Sequence, residues 1–321
     1  MAHTTDTANL VVVITGCDTG FGAEITQDLY QRGGFTVYAT CLTQEAVTKY
    51  NALQSSRIRA IQIDVTNQDD VNRLRAQVEA ECPQGVYCVL NNAGIIDGGF
   101  FDFTTEDIFQ KIMDVNFMGI IRISKAMLPS LRTFAKSRHC PRGKHLPRAR
   151  LLTITSVAGR SNHLGHGGYN ASKHAAECIM DILRVELSPW EIDVSMLEPF
   201  YAKTPMVAGL QHGMDRGWEA ADPQVQKMYG IDWIQSIRKR SGKMYNLSTP
   251  SKWTVDATVT AIRKNNGAQR ARVVIGFWWV STFIRVQEMF PSFMVDFVTK
   301  CVMKCVGAWP KDPFLLKEKS D

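Results

Sequence analysis

The stretch L10-V-V-V-I-T-G-C-D-T-G-F-G22 sets the reading of the whole chain. Leu10 to Thr15 is an unbroken, β-branched apolar run, the pattern of a strand buried on both faces. Glycines follow at 16, 20 and 22, and the segment from Gly22 to Arg32 has helical spacing, ended by Gly33-Gly34. A glycine-rich turn between a buried strand and a helix lets the backbone approach a pyrophosphate, whose charge the helix N-terminus stabilises. The spacing is G-x-x-x-G-x-G, distinct from the G-x-G-x-x-G dinucleotide fingerprint.

Outward from this point the rhythm repeats. Strand-length runs lie at 35–40, 58–64, 86–91, 150–155, 192–197 and 271–276, and helical patterns fill the gaps, notably Thr105 to Arg132 and Gly168 to Leu187. Alternating strand and helix predicts an α/β fold of the doubly wound Rossmann type, with about seven parallel strands and helices on both faces. No repeat or Ser/Gly linker divides the 321 residues, so the expectation is a single domain over 1–321. Within it, 1–9 is a short polar N-terminal segment. Residues 200–250 interrupt the series with weak periodicity and read as a substrate lid. Residues 277–321 form an apolar helical tail.

Composition narrows the class. With 45% hydrophobic and 21% charged residues the chain is an ordinary globular protein. Its eight cysteines show no C-x-x-C pair and read as reduced thiols, and the N-terminus shows no secretory signal. No run of about 18 apolar residues predicts a spanning helix. The net charge of +6 comes from seven Lys and Arg between 132 and 150, which leave −1 for the rest. With Pro141, Gly143 and Pro147 among them, a solvated loop is preferred over a nucleic-acid or anionic-lipid patch. In the tail, Phe290, Phe293, Met294, Phe297, Val298, Cys301, Val302 and Cys305 make one apolar stripe. It reads equally as docking on the core or as contact with a membrane surface or apolar substrate.

The residues that carry chemistry follow in order: Asp64-Val65, Asn91-Asn92-Ala93-Gly94, Asn116, Ser156, and Tyr169 with Lys173 four positions on. On a helix the last two share a face. An ammonium there is expected to lower the tyrosine pKa from about 10 and make Tyr169 a proton donor and acceptor near neutral pH. His163 and His166 lack a third ligand and are read as lining the substrate mouth, with no metal site.

TGCDTGFG, Asp64-Val65, NNAG, Asn116, Ser156 and YNASK, in this order, resemble the short-chain dehydrogenase/reductase family over roughly residues 10–205. ATCLT at 39–43, STPSKWTVD at 248–256 and the aromatic tail resemble its branch of retinol, hydroxysteroid and 3-hydroxybutyrate dehydrogenases. The resemblance implies hydride exchange between a nicotinamide and an alcohol carbon. Tyr169 would exchange the proton, Ser156 would hold the substrate oxygen, Lys173 would bind the ribose and tune Tyr169, and Asn116 would anchor a water. The implied cofactor contacts are Gly16, Asp18, Gly20, Phe21, Gly22, Cys41, Asp64, Val65, Asn92, Ala93, Gly94, Tyr169, Lys173, Pro199 and Thr204.

The second strand ends without Arg or Asp, and Asp18 disfavours a 2′-phosphate, so NAD is expected over NADP. The family's Pro-Gly is here Pro199-Phe200. Phe200 is read either as a core residue after a local adjustment or as closing the nicotinamide or substrate site. The expected substrate is an apolar alcohol or carbonyl, retinoid- or steroid-like. A small hydroxy acid, which needs a cation in the pocket, is the alternative, and a non-catalytic NAD-binding sensor or scaffold is the other. Expected further are a homodimer or homotetramer, no nucleic acid, and a cytoplasmic location, with peripheral contact through the tail on the cytosolic face of the endoplasmic reticulum. A mitochondrial location is not preferred.

Overall fold

The computed structural model describes residues 9–139, 146–264, 270–290 and 292–305. Seven strands form one parallel sheet in the order β3-β2-β1-β4-β5-β6-β7. They are β1 Leu10–Ile14, β2 Phe35–Cys41, β3 Ile58–Gln62, β4 Cys88–Asn91, β5 Ala149–Ile154, β6 Ile192–Pro199 and β7 Arg272–Ile275. Every predicted strand is present to within about two residues. Burial explains the continuous apolar runs: Val12, Val13, Ile14, Val89, Leu90, Leu151 and Leu152 are shut from solvent.

The order reverses between β1 and β4. Right-handed crossovers running in opposite directions put their helices on opposite faces. On one face α1 (Gly20–Arg32) packs against α11 (Ser251–Arg263). On the other, α3 (Gln68–Glu81) packs against α5 (Gly119–Ser137), and α6 (Gly167–Glu186) lies against β6. The predicted helix 105–132 is α4 (Glu106–Met113) joined to α5 through a π turn, Asp114–Met118.

Three segments differ in detail from their sequence reading. First, 200–250 is mostly helical: α7 Pro205–Ala208, α8 Leu210–Ala220, α9 Pro223–Tyr229 and α10 Ile231–Asn246. Met214, Trp218, Trp233, Ile234 and Ile237 build a small core of their own on Phe103. The helices are short and few of their residues are buried, so the periodicity is faint. Second, the apolar tail is two helices, α12 (Trp278–Met289) and α13 (Ser292–Cys305), and the stripe from Phe293 to Cys305 lies on α13, with Phe290 just before the break. The sequence has Pro291 at the break, which cannot continue a helical ladder. Val280 and Ile284 dock α12 on Val157 and Phe200, while Trp278, Phe283, Met289, Phe297 and Val298 stay exposed.

Third, the described arginines of 132–150 are engaged by the fold, while Lys136 is exposed. Arg132 stacks on Trp190, Arg138 bonds Glu191 at 2.7 Å and Arg148 meets Asp193 at 3.1 Å. Residues 140–145 of that segment lie outside the described residues. Arg150 is 1% exposed and donates to the carbonyls of Ala261, Ile262 and Lys264 at the end of α11. A buried guanidinium thereby supplies charged donors to carbonyls at a helix end. Arg150→Ala is expected to lower the unfolding free energy by about 3 kcal/mol, read from a urea titration.

Candidate active site

The site opens at the carboxyl ends of the strands, where the sheet order reverses. Thr15 Oγ1 accepts from the backbone N–H of Asn92 and Ala93, both at 3.0 Å. Asn92 Nδ2 donates back to the carbonyls of Thr15 and Gly16, at 2.8 and 3.0 Å. The two loops are thereby locked together. Gly16 (φ +70°) fits only because it has no Cβ, which would stand 2.8 Å from Ala93 Cα. A Cβ on Gly22 would stand 2.3 Å from the Gly16 carbonyl oxygen, so Gly22 serves packing and does not line the cleft.

A cavity of about 770 Å³ runs from this loop across the strand ends. Of the expected cofactor residues, Gly16, Asp18, Gly20, Phe21, Asp64, Val65, Asn92, Ala93, Gly94, Tyr169, Lys173, Pro199 and Thr204 line it. Cys41 does not: it is fully buried in β2. Thr19, the N-cap of α1, makes no side-chain cap, so the first-turn N–H groups of α1 keep their donors for an anion. Loop and uncapped helix together fit a dinucleotide pyrophosphate. Asp18 accepts from Leu42 N, Thr43 N and Thr43 Oγ1 at 2.8–2.9 Å. It thus holds a carboxylate beside the end of β2, where the described residues lining the cavity, Leu42 and Thr43, are uncharged.

A second cavity of about 70 Å³ adjoins the first. Phe21, Tyr169, Pro199, Thr204 and Met206 line both. Ser156 lies on the side of the smaller cavity and Lys173 on that of the larger, with Tyr169 between them. Lys173 Nζ donates to the Ile154 carbonyl at 3.1 Å and stands 5.5 Å over the Tyr169 ring.

The expected lowering of the Tyr169 pKa is not what burial produces. Desolvation pushes Tyr169 up to about 12, opposed by a hydrogen bond with Ser156, and the same burial lowers Lys173 to about 8. Tyr169 is therefore a neutral phenol at pH 7.

Asn116 sits in the π turn and is fully buried. Its Oδ1 accepts from Ile95 N, and its Nδ2 donates to the Ile95 carbonyl and to Ser172 Oγ, at 2.8–3.0 Å. Ser172 Oγ donates in turn to the Tyr169 carbonyl. The Asn116 side chain thus ties the loop after β4 to α6. Thr204 caps α7 through Val207 N.

Phe200 meets Tyr201 and Trp279 edge-on at 5.3 and 5.6 Å, lines the smaller cavity and seats α12, so both readings of it hold in part. His163 and His166 line the same cavity, and burial lowers both to about 4. Among the described residues no cluster of three His, Cys, Asp or Glu has metal-binding proximity.

Sequence reasoning gave no role of their own to Thr15 and Ser172, which lie inside quoted motifs, or to Tyr201, which follows Pro199-Phe200. It also missed a buried charge cluster. Glu198, fully buried on β6, lies between Arg160 (3.1 Å) and Arg272 (3.3 Å). Arg272 also pairs with Glu177 and Asp181 of α6, and Arg160 with Glu288 of α12 (2.7 Å).

A family model described as "short chain dehydrogenase" matches residues 10–215. Retinol dehydrogenase 5 of Homo sapiens is 33% identical over 244 residues, 75% of this chain and 72% of that protein. The mitochondrial D-beta-hydroxybutyrate dehydrogenase of Bos taurus is 27% identical over 299 residues, 89% and 82% of the two chains. A short-chain dehydrogenase/reductase from Burkholderia phymatum, solved in complex with NAD, superposes with a TM-score of 0.69. That match covers 97% of this chain and 99% of the other at 19% identity, a likeness of fold.

Two outcomes are expected. Gly22→Ala forces the Gly16 loop to shift and weakens dinucleotide binding at least about tenfold by calorimetry, a penalty of about 1.4 kcal/mol. The folded values of His163 and His166 lie below the unfolded 6.5, so the unfolded chain takes up protons first. Stability is then lost as pH falls from 6.5 to about 4, by up to about 1.4 kcal/mol per unit for each histidine. His163→Asn is expected to flatten that loss in urea titrations.

Proposed function

The chain belongs to the short-chain dehydrogenase family and is an oxidoreductase of alcohols and carbonyls that uses NAD(P); on that premise we propose that it is NAD-dependent and acts on an uncharged, apolar substrate. One observation carries this reading: Tyr169 borders both cavities, with Ser156 on one side and Lys173 on the other. Among the described residues neither Lys nor Arg lines the smaller cavity, and most of its wall is apolar, including Ile96, Val157, Phe200 and Val207. A hydroxy acid needs a cation for its carboxylate, so the uncharged substrate is favoured. Asp18 beside the end of β2 repels a 2′-phosphate, which favours NAD.

When bound, the nicotinamide supplies and accepts hydride. The protein's part is proton transfer and orientation. Ser156 Oγ and the Tyr169 hydroxyl hold the substrate oxygen. As a neutral phenol, Tyr169 donates its proton to a carbonyl oxygen during reduction; during oxidation it must first lose that proton. Lys173, fixed by the Ile154 carbonyl, presents its Nζ toward the larger cavity and stabilises a phenolate beside it. A substrate body larger than the smaller cavity enters by displacing Met206, Val207 and Leu210.

We also propose that the exposed apolar face of α12 and α13 rests on a membrane surface. Trp278 is 84% and Met289 81% exposed, Phe297 stands out beside them, and Lys300 and Lys304 flank them with positive charge. No helix among the described residues is long and apolar enough to cross a membrane. Trp278→Glu with Phe297→Glu is expected to abolish co-sedimentation with vesicles of phosphatidylcholine and phosphatidylserine. Unchanged binding would remove this part of the reading.

The test of activity is NADH formation from retinol, steroid alcohols and 3-hydroxybutyrate. Turnover of an uncharged alcohol, with NAD preferred to NADP, is expected, and Tyr169→Phe should lower kcat by about 10²–10⁴. Reduction is expected to stay level from pH 6 to 8, whereas oxidation climbs as the Tyr169 phenolate fraction grows. Turnover of 3-hydroxybutyrate alone would reverse the substrate assignment. NAD binding without any turnover would favour a sensor.

A further inference from the structure

The smaller cavity holds polar groups that proton transfer at Tyr169 does not use. Ser161 Oγ donates to the Val157 carbonyl at 2.9 Å, so its contact with His163 Nε2, also 2.9 Å, places the proton on Nε2. His163 Nδ1 is then an acceptor, and it faces the Tyr201 hydroxyl at 3.5 Å, with the two rings edge-on at 5.6 Å. The Tyr201 proton points to His163, which leaves the oxygen lone pairs as an acceptor. The Tyr201 carbonyl accepts from Thr249 N and Oγ1, at 2.8 and 3.0 Å, which fixes the backbone behind the ring.

Asn170, 8% exposed, lines the same cavity. Its Nδ2 donates to the His163 carbonyl at 2.8 Å, which fixes the orientation of the amide, and its buried Oδ1 has no partner among the described residues. His166 lines the cavity too, and its buried Nδ1 is likewise unpartnered. Leaving such atoms without a hydrogen bond costs about 1–3 kcal/mol each.

We propose that Tyr201, Asn170 and His166 form an uncharged subsite for a second hydroxyl on the substrate, near the oxygen held by Ser156 and Tyr169. Tyr201 Oη and Asn170 Oδ1 both offer acceptors, so the group they take is a hydrogen-bond donor, a hydroxyl and not an ether or carbonyl. The preferred substrate is then an apolar diol or hydroxyketone, not a simple alcohol. This rests on the dehydrogenase reading of the same site. A site built to hydrogen-bond a hydroxyl discriminates against the analogue that lacks it.

The test is calorimetric titration of the protein, with NAD present, by cyclohexanol and by cis-1,2-cyclohexanediol, with NADH formation followed in parallel. The diol is expected to bind about tenfold more tightly, although its extra hydroxyl makes it the more water-soluble of the two. That preference is expected to vanish in Tyr201→Phe and to shrink in His166→Phe, two substitutions of similar shape. Equal or weaker binding of the diol to the wild type would overturn the proposal, as would a preference that survives both substitutions. A diol preference without NADH formation would uphold the subsite and overturn the dehydrogenase reading, and NADH formation without the preference would do the reverse.

Discussion

The bonds between Thr15 and the Asn92-Ala93 backbone are the constraint on which the site depends. They join the ends of β1 and β4, the two strands between which the sheet order reverses. A crevice at such a point is a consequence of helices leaving in opposite directions. Its width is set by how closely the two loops approach, and Gly16 against Ala93 takes that approach to the limit a backbone allows. The uncapped N-terminus of α1, the Asp18 carboxylate and the Gly94 backbone near Lys173 all take their places from this junction.

Most of the fold was legible because buried parallel strands leave a coarse signal. Val11 to Ile14 or Leu151 to Ile154 can hardly be anything else once flanked by helical spacing. The residues proposed for proton transfer were legible for a different reason: Ser156, Tyr169 and Lys173 stand at fixed local spacing on one strand end and one helix. What escaped was whatever depends on burial or on distant partners. The Tyr169 pKa follows from desolvation, which no spacing discloses, and the expectation of a lowered value counted only the neighbouring ammonium. Cys41 looked available at a strand end, but its side chain turns into the core.

The charge cluster around Glu198 shows the same limit. Arg272 lies 95 positions from Glu177 and 74 from Glu198, and Arg160 lies 128 from Glu288. The cluster joins α6, which carries Tyr169 and Lys173, to β6, β7 and the exposed α12. A carboxylate enclosed as fully as Glu198 persists only with cations beside it. The position of α6 and the seating of α12 are therefore held by one set of ion pairs.

The π turn at Asp114–Met118 carries a consequence of a different kind. A π turn holds one residue more than α geometry needs, and each helical residue rotates the chain by about 100°. Were one residue removed there, α4 and α5 could merge into a continuous helix, but everything beyond would turn by that angle. Ile120, Ile123, Met127 and Leu131 would swing off the sheet, and Asn116 would lose its hold on Ile95 and Ser172. This stretch can therefore drift in residue identity more readily than in length, and insertions or deletions within it should be rarer than substitutions.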